Sequence, residues 1–200
     1  MNSHEEFVEN KFKKVSEIIP ENSKVFDIGC NDAKILNFLK NVDYYCTDIS
    51  SNSNSKKIKF KQTDLNKDEL PFKKEKFDFI LLLDILEHVV NPQKLLFESK
   101  QRLKPKGKLI ITLPNDYHLL NKVRFVFNKH LTENPFAPYG HLHYFPIKSG
   151  EKFLISNGFV IEKKIILPPV KPKIIPQPVK NFLSHKFQQA FARDVLYVLS

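Results

Sequence analysis

KVFDIGCNDA, from Lys24 to Ala33, reads as a strand that breaks sharply toward a helix. Val25, Phe26 and Ile28 make a short apolar run of strand composition, closing on Asp27-Ile28-Gly29. Lys34-Ile35-Leu36-Asn37-Phe38-Leu39 follows with a helical pattern, so a helix is expected from Asp32 to Lys40. A buried strand turning at a glycine is how open α/β sheets form a ligand crevice outside the carboxyl ends of their strands. Gly29 permits backbone angles and a close approach that a side chain would block. Asn31 and Ala33 stand where a glycine-rich loop carries two further glycines. Asn tolerates left-handed angles best after Gly, and Ala is the smallest residue with a Cβ. The loop keeps its shape while thinning in glycine. One Gly is weak support for a dinucleotide site, so the weight falls on acids at later strand ends.

Upstream, Ser3 and Glu6 have capping-box spacing. Val8, Phe12, Val15 and Ile19 recur at helical intervals and Pro20 closes the helix. It is expected across the sheet edge or over the crevice. Downstream, Tyr44 to Thr47 reads as strand two, ending at Asp48-Ile49-Ser50. The loop SSNSNSKK lacks any helical period, so the crossover helix a regular βαβ array would place there is shortened. Ile58 to Gln62 is strand three, ending at Thr63-Asp64-Leu65. FDFILLL, Phe77 to Leu83, is nearly all apolar, as a central strand buried on both faces should be. Asn91-Pro92 starts a helix, with Asn as cap and Pro at the first position. Lys108 to Leu113 is strand five, Tyr117 to Phe127 is helical, and His130 to Pro146 reads as an irregular lid. Ser149 to Asn157 is a helix stopped by Gly158, and Phe159 to Leu167 is strand six. The stiff PPVKPKIIPQP leads to a helix over Lys180 to Ala192 and a final strand, Asp194 to Leu199. Such alternation means a doubly wound α/β sheet.

Two hundred residues suit one domain with a full core. The charged start MNSHEEFVENKFKK has no apolar signal region, and the longest apolar run meets Asp84 far short of the roughly 20 residues that span a bilayer. A cytoplasmic protein with no transmembrane segment is expected. Cys30 and Cys46 show no C-x-x-C spacing and read as free buried thiols. The net charge of +10 is uneven, with no acid from Lys163 through Arg193. That stretch is either a lysine-rich solvated surface or an attractor of an anionic substrate, nucleic acid or membrane.

At this point the chain resembles the class I S-adenosylmethionine (SAM) dependent methyltransferases, and most of all the branch of the ubiquinone-biosynthesis O-methyltransferases. The matching residues are VFDIGC (25–30), TDIS (47–50), TDL with LPF (63–65, 70–72), FDFILLLDILEHVVNP (77–92), RLKPKGKLIITLPN (102–115) and HLHYFPIKSGEKFLISNGF (141–159). The resemblance implies a mostly parallel, seven-stranded Rossmann-like methyltransferase sheet whose last strand is antiparallel. It implies one domain over residues 1–200: an N-terminal helix (1–20), a SAM-binding core (24–115), a lid insertion (116–148), and C-terminal strands (149–200) with a basic Pro-rich insertion (168–193). The thinned loop, the shortened second crossover and the enlarged basic insertion depart from the family pattern.

With SAM as cofactor, Asp48 lies about 20 residues after the loop, the interval at which a strand-two acid reaches a ribose. A turn or capping Asp would look the same. Gly29, flanked by Ile28, Cys30 and Asn31, would pass under the amino acid head, and Asp27 would balance its ammonium. Asp64 and Leu65 would meet the adenine, unless they form a plain turn, and Ile49 borders Asp48. Leu83 and Asp84 would floor the sulfonium. His88 is the leading candidate base for a hydroxyl acceptor, and His141 or His143 would reach from the lid; each reads at least equally as a structural histidine. Asp84, Glu87 and His88 sit at i, i+3 and i+4, where one helical turn would bring them together. The resemblance describes divalent-metal sites at that spacing, with Glu at the first position; here Asp stands there, and a metal is not favoured.

The function expected is therefore O-methylation of a small-molecule, lipid-linked or glycan-linked acceptor, with peripheral membrane contact as one way of meeting it. The amino-methylating signature after strand four is absent: LDILEH stands there. RNA ribose methylation with a divalent metal, and a SAM-binding module without catalysis, are the alternatives. A nicotinamide-dependent oxidoreductase lacks its glycine fingerprint.

Overall fold

The computed structural model describes residues 2–50, 58–127, 129, 140–170 and 174–200. FDFILLL forms β4 (Phe77–Leu83) at the centre of a seven-stranded sheet. On one side lie β1 (Lys24–Ile28), β2 (Asp43–Asp48) and the edge strand β3 (Lys59–Gln62), all parallel. On the other side β5 (Leu103–Pro114) runs parallel to β4. Then β7 (Asp194–Leu199) runs antiparallel between β5 and β6 (Ile161–Leu167). The order β3-β2-β1-β4-β5-β7-β6 is the doubly wound sheet expected, with its last strand antiparallel.

Period-two alternation splits the central strands between two cores. Phe26, Ile28, Ile80, Leu82 and Leu109 face α2 (Pro92–Arg102) and α4 (Ile147–Ser156), which supply Leu95, Leu96 and Leu154. Val25, Leu81, Ile110 and Leu196 face the other way, against Phe7, Val15 and Ile19 at the N-terminus. Asn91 caps α2 as expected, its side chain accepting from Lys94 N–H at 2.9 Å, with Pro92 first in the helix.

Four sequence expectations are corrected. The cap of α1 (Ser3–Ser16) is Asn2, not Ser3: Asn2 accepts from the N–H groups of His4 and Glu5, and Glu5 returns a bond to Asn2 N–H. After the loop, Asp32 to Lys40 holds only a four-residue 3-10 turn (Lys34–Asn37), because Asn31 and Ala33 both take left-handed angles. β5 starts earlier, at Leu103, through an irregularity in its pairing with Phe77. The helix expected over Lys180 to Ala192 is two, α5 (Gln177–Lys186) and α6 (Gln188–Phe191), broken at Phe187. The Asn115 amide draws the carbonyls of Gln188, Gln189 and Ala192 toward itself and fixes that break. Gln189 donates back to Asn115 and accepts from Ile147 N–H.

The helical stretch after β5 is α3 (Leu119–Val126). The lid expectation over residues 130–139 and the loop expectation over residues 51–57 lie outside the described residues. Among the described residues no helix is long and apolar enough to cross a membrane.

Candidate functional site

The strand order reverses between β1 and β4, and a crevice is expected outside their carboxyl ends. Gly29 sits there at φ +78°, its N–H donating to Thr47 C=O at 2.8 Å, and Cys30 N–H donates to the same carbonyl at 3.1 Å. A Cβ on Gly29 would overlap Ile85 Cδ1. Asn31 N–H donates to Asp48 Oδ2 at 2.7 Å, and Ser50 donates to Asp48 Oδ1 through N–H and hydroxyl, both at 3.1 Å. The β2 acid is thus aimed by the β1 loop, while Ile49 beside it is half exposed. Ile28, Cys30 and Cys46 are buried, the cysteines as free thiols.

Asp27 is buried and accepts from the Tyr44 hydroxyl at 2.5 Å. Burial pushes its carboxyl up to about 7, against the Tyr44 hydrogen bond, with the Asp48 charge adding to the rise. Asp64 pairs with Lys67 at 3.0 Å and accepts from Asn66 N–H, which hold its carboxyl below the usual range. Leu65 packs on the core edge.

Leu83 is half-buried at the end of β4, and Asp84 follows at φ +56°. Asp84 accepts from its own neighbour Thr112, from whose hydroxyl it receives a 2.5 Å bond, and pairs with the Lys11 ammonium. Lys11 is buried on α1 and lies 3.7 Å from Asp194 at the start of β7. Burial would raise the Asp84 carboxyl, but the Lys11 charge and the hydrogen bonds from Lys11 and Thr112 hold it below the usual range. Burial and then the Asp84 charge push Asp194 up to about 7.

Residues 85–88 form a turn, with His88 N–H donating to Ile85 C=O, so no helical turn gathers Asp84, Glu87 and His88. Glu87 and His88 meet His141 instead: one ligand atom from each lies within 4.8 Å of the others. Among the described residues, Glu87 Oε2 is the one buried side-chain polar atom without a hydrogen-bond partner. Burial, then the Asp84 charge, drives its carboxyl well above the usual range. His141 Nδ1 lies 3.1 Å from the buried Asp116 carboxylate, and its ring packs edge-on to His88. His88 Nδ1 is 3.3 Å from Gly140 C=O. His143 Nε2 is 3.0 Å from Val89 C=O, and the backbone N–H groups of Leu142 and His143 both donate to Glu87 C=O.

The structure therefore gathers the β1 loop with Asp48 and Asp27, and separately His88 with His141, while Asp64 stands in a turn at the end of β3. The sequence expectation missed Lys11, Asp116 and Asp194. Lys11 sits four residues from both Phe7 and Val15 on the buried face of α1, a spacing visible in the sequence although a stripe drawn through apolar residues alone passes it over.

A family model described as a methyltransferase domain matches residues 1–164. An uncharacterized protein of Methanocaldococcus jannaschii is 33% identical over 189 residues, covering 88% of this chain and 80% of that protein. Among solved structures, a SAM-dependent methyltransferase of Methanosarcina mazei superposes with TM-score 0.64 at 18% identity, covering 93% of this chain and 95% of that one. The [4+2]-cyclase SpnF also superposes with TM-score 0.64, at 12% identity over 95% of this chain and 80% of its own. At such identities the likeness is one of fold, and that fold carries more than one chemistry.

Proposed function

The chain belongs to the methyltransferase-domain family, and on that premise we propose that it moves the methyl group of SAM onto an oxygen of a small-molecule, lipid-linked or glycan-linked acceptor. The observation that carries this is the placement of Asp27 and Asp48 at the ends of adjacent strands around Gly29, beside the reversal in strand order. A carboxylate has about four lone-pair sites; Asn31 N–H and the N–H and hydroxyl of Ser50 take three, so Asp48 keeps one for a ribose hydroxyl and gains a second when the Ser50 hydroxyl turns to another partner. Asp27 offers its negative charge to the cofactor's ammonium, and Leu83 and Asp84 border the sulfonium.

In the transfer, an acceptor oxygen attacks the methyl carbon in line with the carbon–sulfur bond. That bond breaks, its electron pair stays on the sulfur as a neutral thioether, and the hydroxyl proton leaves to a base. His141 suits that task best. Asp116 accepts from Nδ1–H and so leaves Nε2 as the basic nitrogen. His143 is pinned by Val89 C=O and orients the backbone around Glu87.

The orphaned Glu87 Oε2 beside two imidazoles supports a second reading, in which Glu87, His88 and His141 hold a divalent cation. Such an ion would lower the pKa of an acceptor hydroxyl. Isothermal titration with SAM, with and without Mg²⁺ or Mn²⁺, tests both. The parent protein should bind SAM, and Asp48→Ala should weaken binding about 10–150-fold, the worth of about 1.5–3 kcal/mol of charge-assisted bonds. Absence of binding, or undiminished binding by Asp48→Ala, overturns the cofactor assignment. Metal binding that survives Glu87→Gln with His141→Ala overturns the second reading.

A further inference from the structure

Helix α3 faces the wrong way for an ordinary surface helix, whose apolar stripe points at the core. At 3.6 residues per turn, Leu119, Val123, Val126 and the following Phe127 share one arc, and that arc faces solvent. Val126 is 75% exposed and Phe127 70%. The residue that points inward is polar: Asn121 is buried and donates to Asp116 C=O at 2.7 Å. Lys122 and Arg124 flank the apolar arc on its two sides, Lys129 follows, and no acidic residue occurs from Tyr117 to Lys129.

A second exposed apolar and basic piece lies on the far side of α6. α6 lies against both α3 and α5, and α5 presents exposed Phe182 with the Lys186 ammonium over its ring. This second piece falls within the stretch from Lys163 to Arg193 that has no acidic residue. α3 leaves the sheet after β5, and α5 and α6 join β6 to β7. The register of β7 with β5 and β6 puts Pro114, Leu167 and Asp194 at one edge. That is the carboxyl edge that carries the candidate site.

We propose that α3, with α5 across α6, seats the protein on an anionic lipid bilayer, the apolar arc entering the headgroup boundary and the lysines meeting lipid phosphates. A cationic rim around an exposed apolar centre is what an interfacial helix needs. A second copy of this chain would set one cationic rim against another. A nucleic acid backbone would find apolar side chains, not donors, at the centre of the patch. The proposal rests on the acceptor reading above and sharpens it to a lipid-linked acceptor, delivered at the edge where the methyl donor would lie.

The test is co-sedimentation of the full chain with vesicles of phosphatidylcholine alone or mixed with phosphatidylglycerol, with SAM titrated calorimetrically into the same preparations. Each lysine near an anionic surface is worth about a fivefold gain in partitioning, so Lys122, Lys129 and Lys186 together should favour the anionic vesicles roughly 100-fold. Added salt should remove most of that preference. Val126→Ser with Phe127→Ser should lower binding more than about tenfold and leave SAM affinity unchanged. Failure to bind anionic vesicles while SAM still binds overturns the proposal. So does a dimer, seen by sedimentation velocity, that the double substitution abolishes without any vesicle binding. Vesicle binding without SAM binding upholds the surface and sinks the methyl-transfer reading instead.

Discussion

Lys11→Met removes the ammonium that Asp84 and Asp194 share among the described residues, and the structure sets the size of the loss. An exposed ion pair is worth about 0–1 kcal/mol, whereas stripping one partner from a fully buried pair costs about 3–5 kcal/mol. The Asp194 side chain is 9% exposed and that of Asp84 36%. Water therefore shares one of the two orphaned charges, and a loss of about 2–3 kcal/mol is expected. For a chain this size that lowers Tm by about 4–12 °C. The loss depends on pH. With Lys11 gone, both carboxyls shift upward in the folded state, so stability falls as pH rises from the ordinary carboxylate range through the folded values. Thermal melts followed by circular dichroism near pH 5 and near pH 8 should therefore show the larger deficit at the higher pH. Asp194→Asn in the same background should recover part of it, since an amide needs no counter-charge. A Lys11→Met protein that melts within the roughly 2 °C of a surface substitution at both pH values would refute the reasoning.

Asp27 gives a second pH signature. Its folded carboxyl is raised to about 7 from 3.8, so without ligand its contribution to stability declines as pH climbs across that window and is flat above it. A cofactor ammonium favours the ionised form, so SAM affinity measured by calorimetry should rise with pH up to about 7 and then level. Tyr44→Phe removes a bond to the carboxylate and should move the midpoint higher; an affinity indifferent to pH in this range contradicts the Asp27 assignment. Gly29→Ala should cost about 1–2 kcal/mol from its left-handed φ alone, plus the displacement of Ile85 Cδ1. Adding Ile85→Ala to it should restore the steric part in thermal melts and leave the dihedral part, and full recovery would show that φ at Gly29 carries no strain.

The centre of the sheet was legible because its strands are apolar on both faces, whereas the edge strand β3 is KFKQ and largely exposed. FDFILLL and DVLYVL are strands from first to last residue as read, since nothing but a central position suits such runs. The helices read less well, because the stripe was drawn through apolar residues alone. Val8, Phe12, Val15 and Ile19 trace it, with Val15 and Ile19 buried and Phe12 packed against the same core, but Phe7 and Lys11 complete the buried face. A lysine within a buried stripe makes sense only beside its acids, and those lie 73 and 183 positions further along the chain. Asp116 was hidden for the same reason: its partner His141 comes 25 residues later, across the insertion. LDILEH suggested a helical turn, but the left-handed angle at Asp84 sends that residue toward Lys11 and leaves Glu87 and His88 to meet His141.

The Asn115 amide, holding three carbonyls of the chain's last quarter while Gln189 returns the bond and also takes Ile147 N–H, works as a rivet. It fastens both ends of the span between β5 and α4 to the crossing that precedes β7. Within that span Asp116, His141 and His143 still serve the candidate site and Phe145 still packs in the core, but the exposed arc of α3 is relieved of any duty to hold the sheet together. Evolution, or a protein engineer, is thereby free to rewrite that arc. So long as the two amides and the inward-facing Asn121 stay in place, a chimera carrying a foreign outer face on α3 should fold as the parent does and differ in the surface it meets.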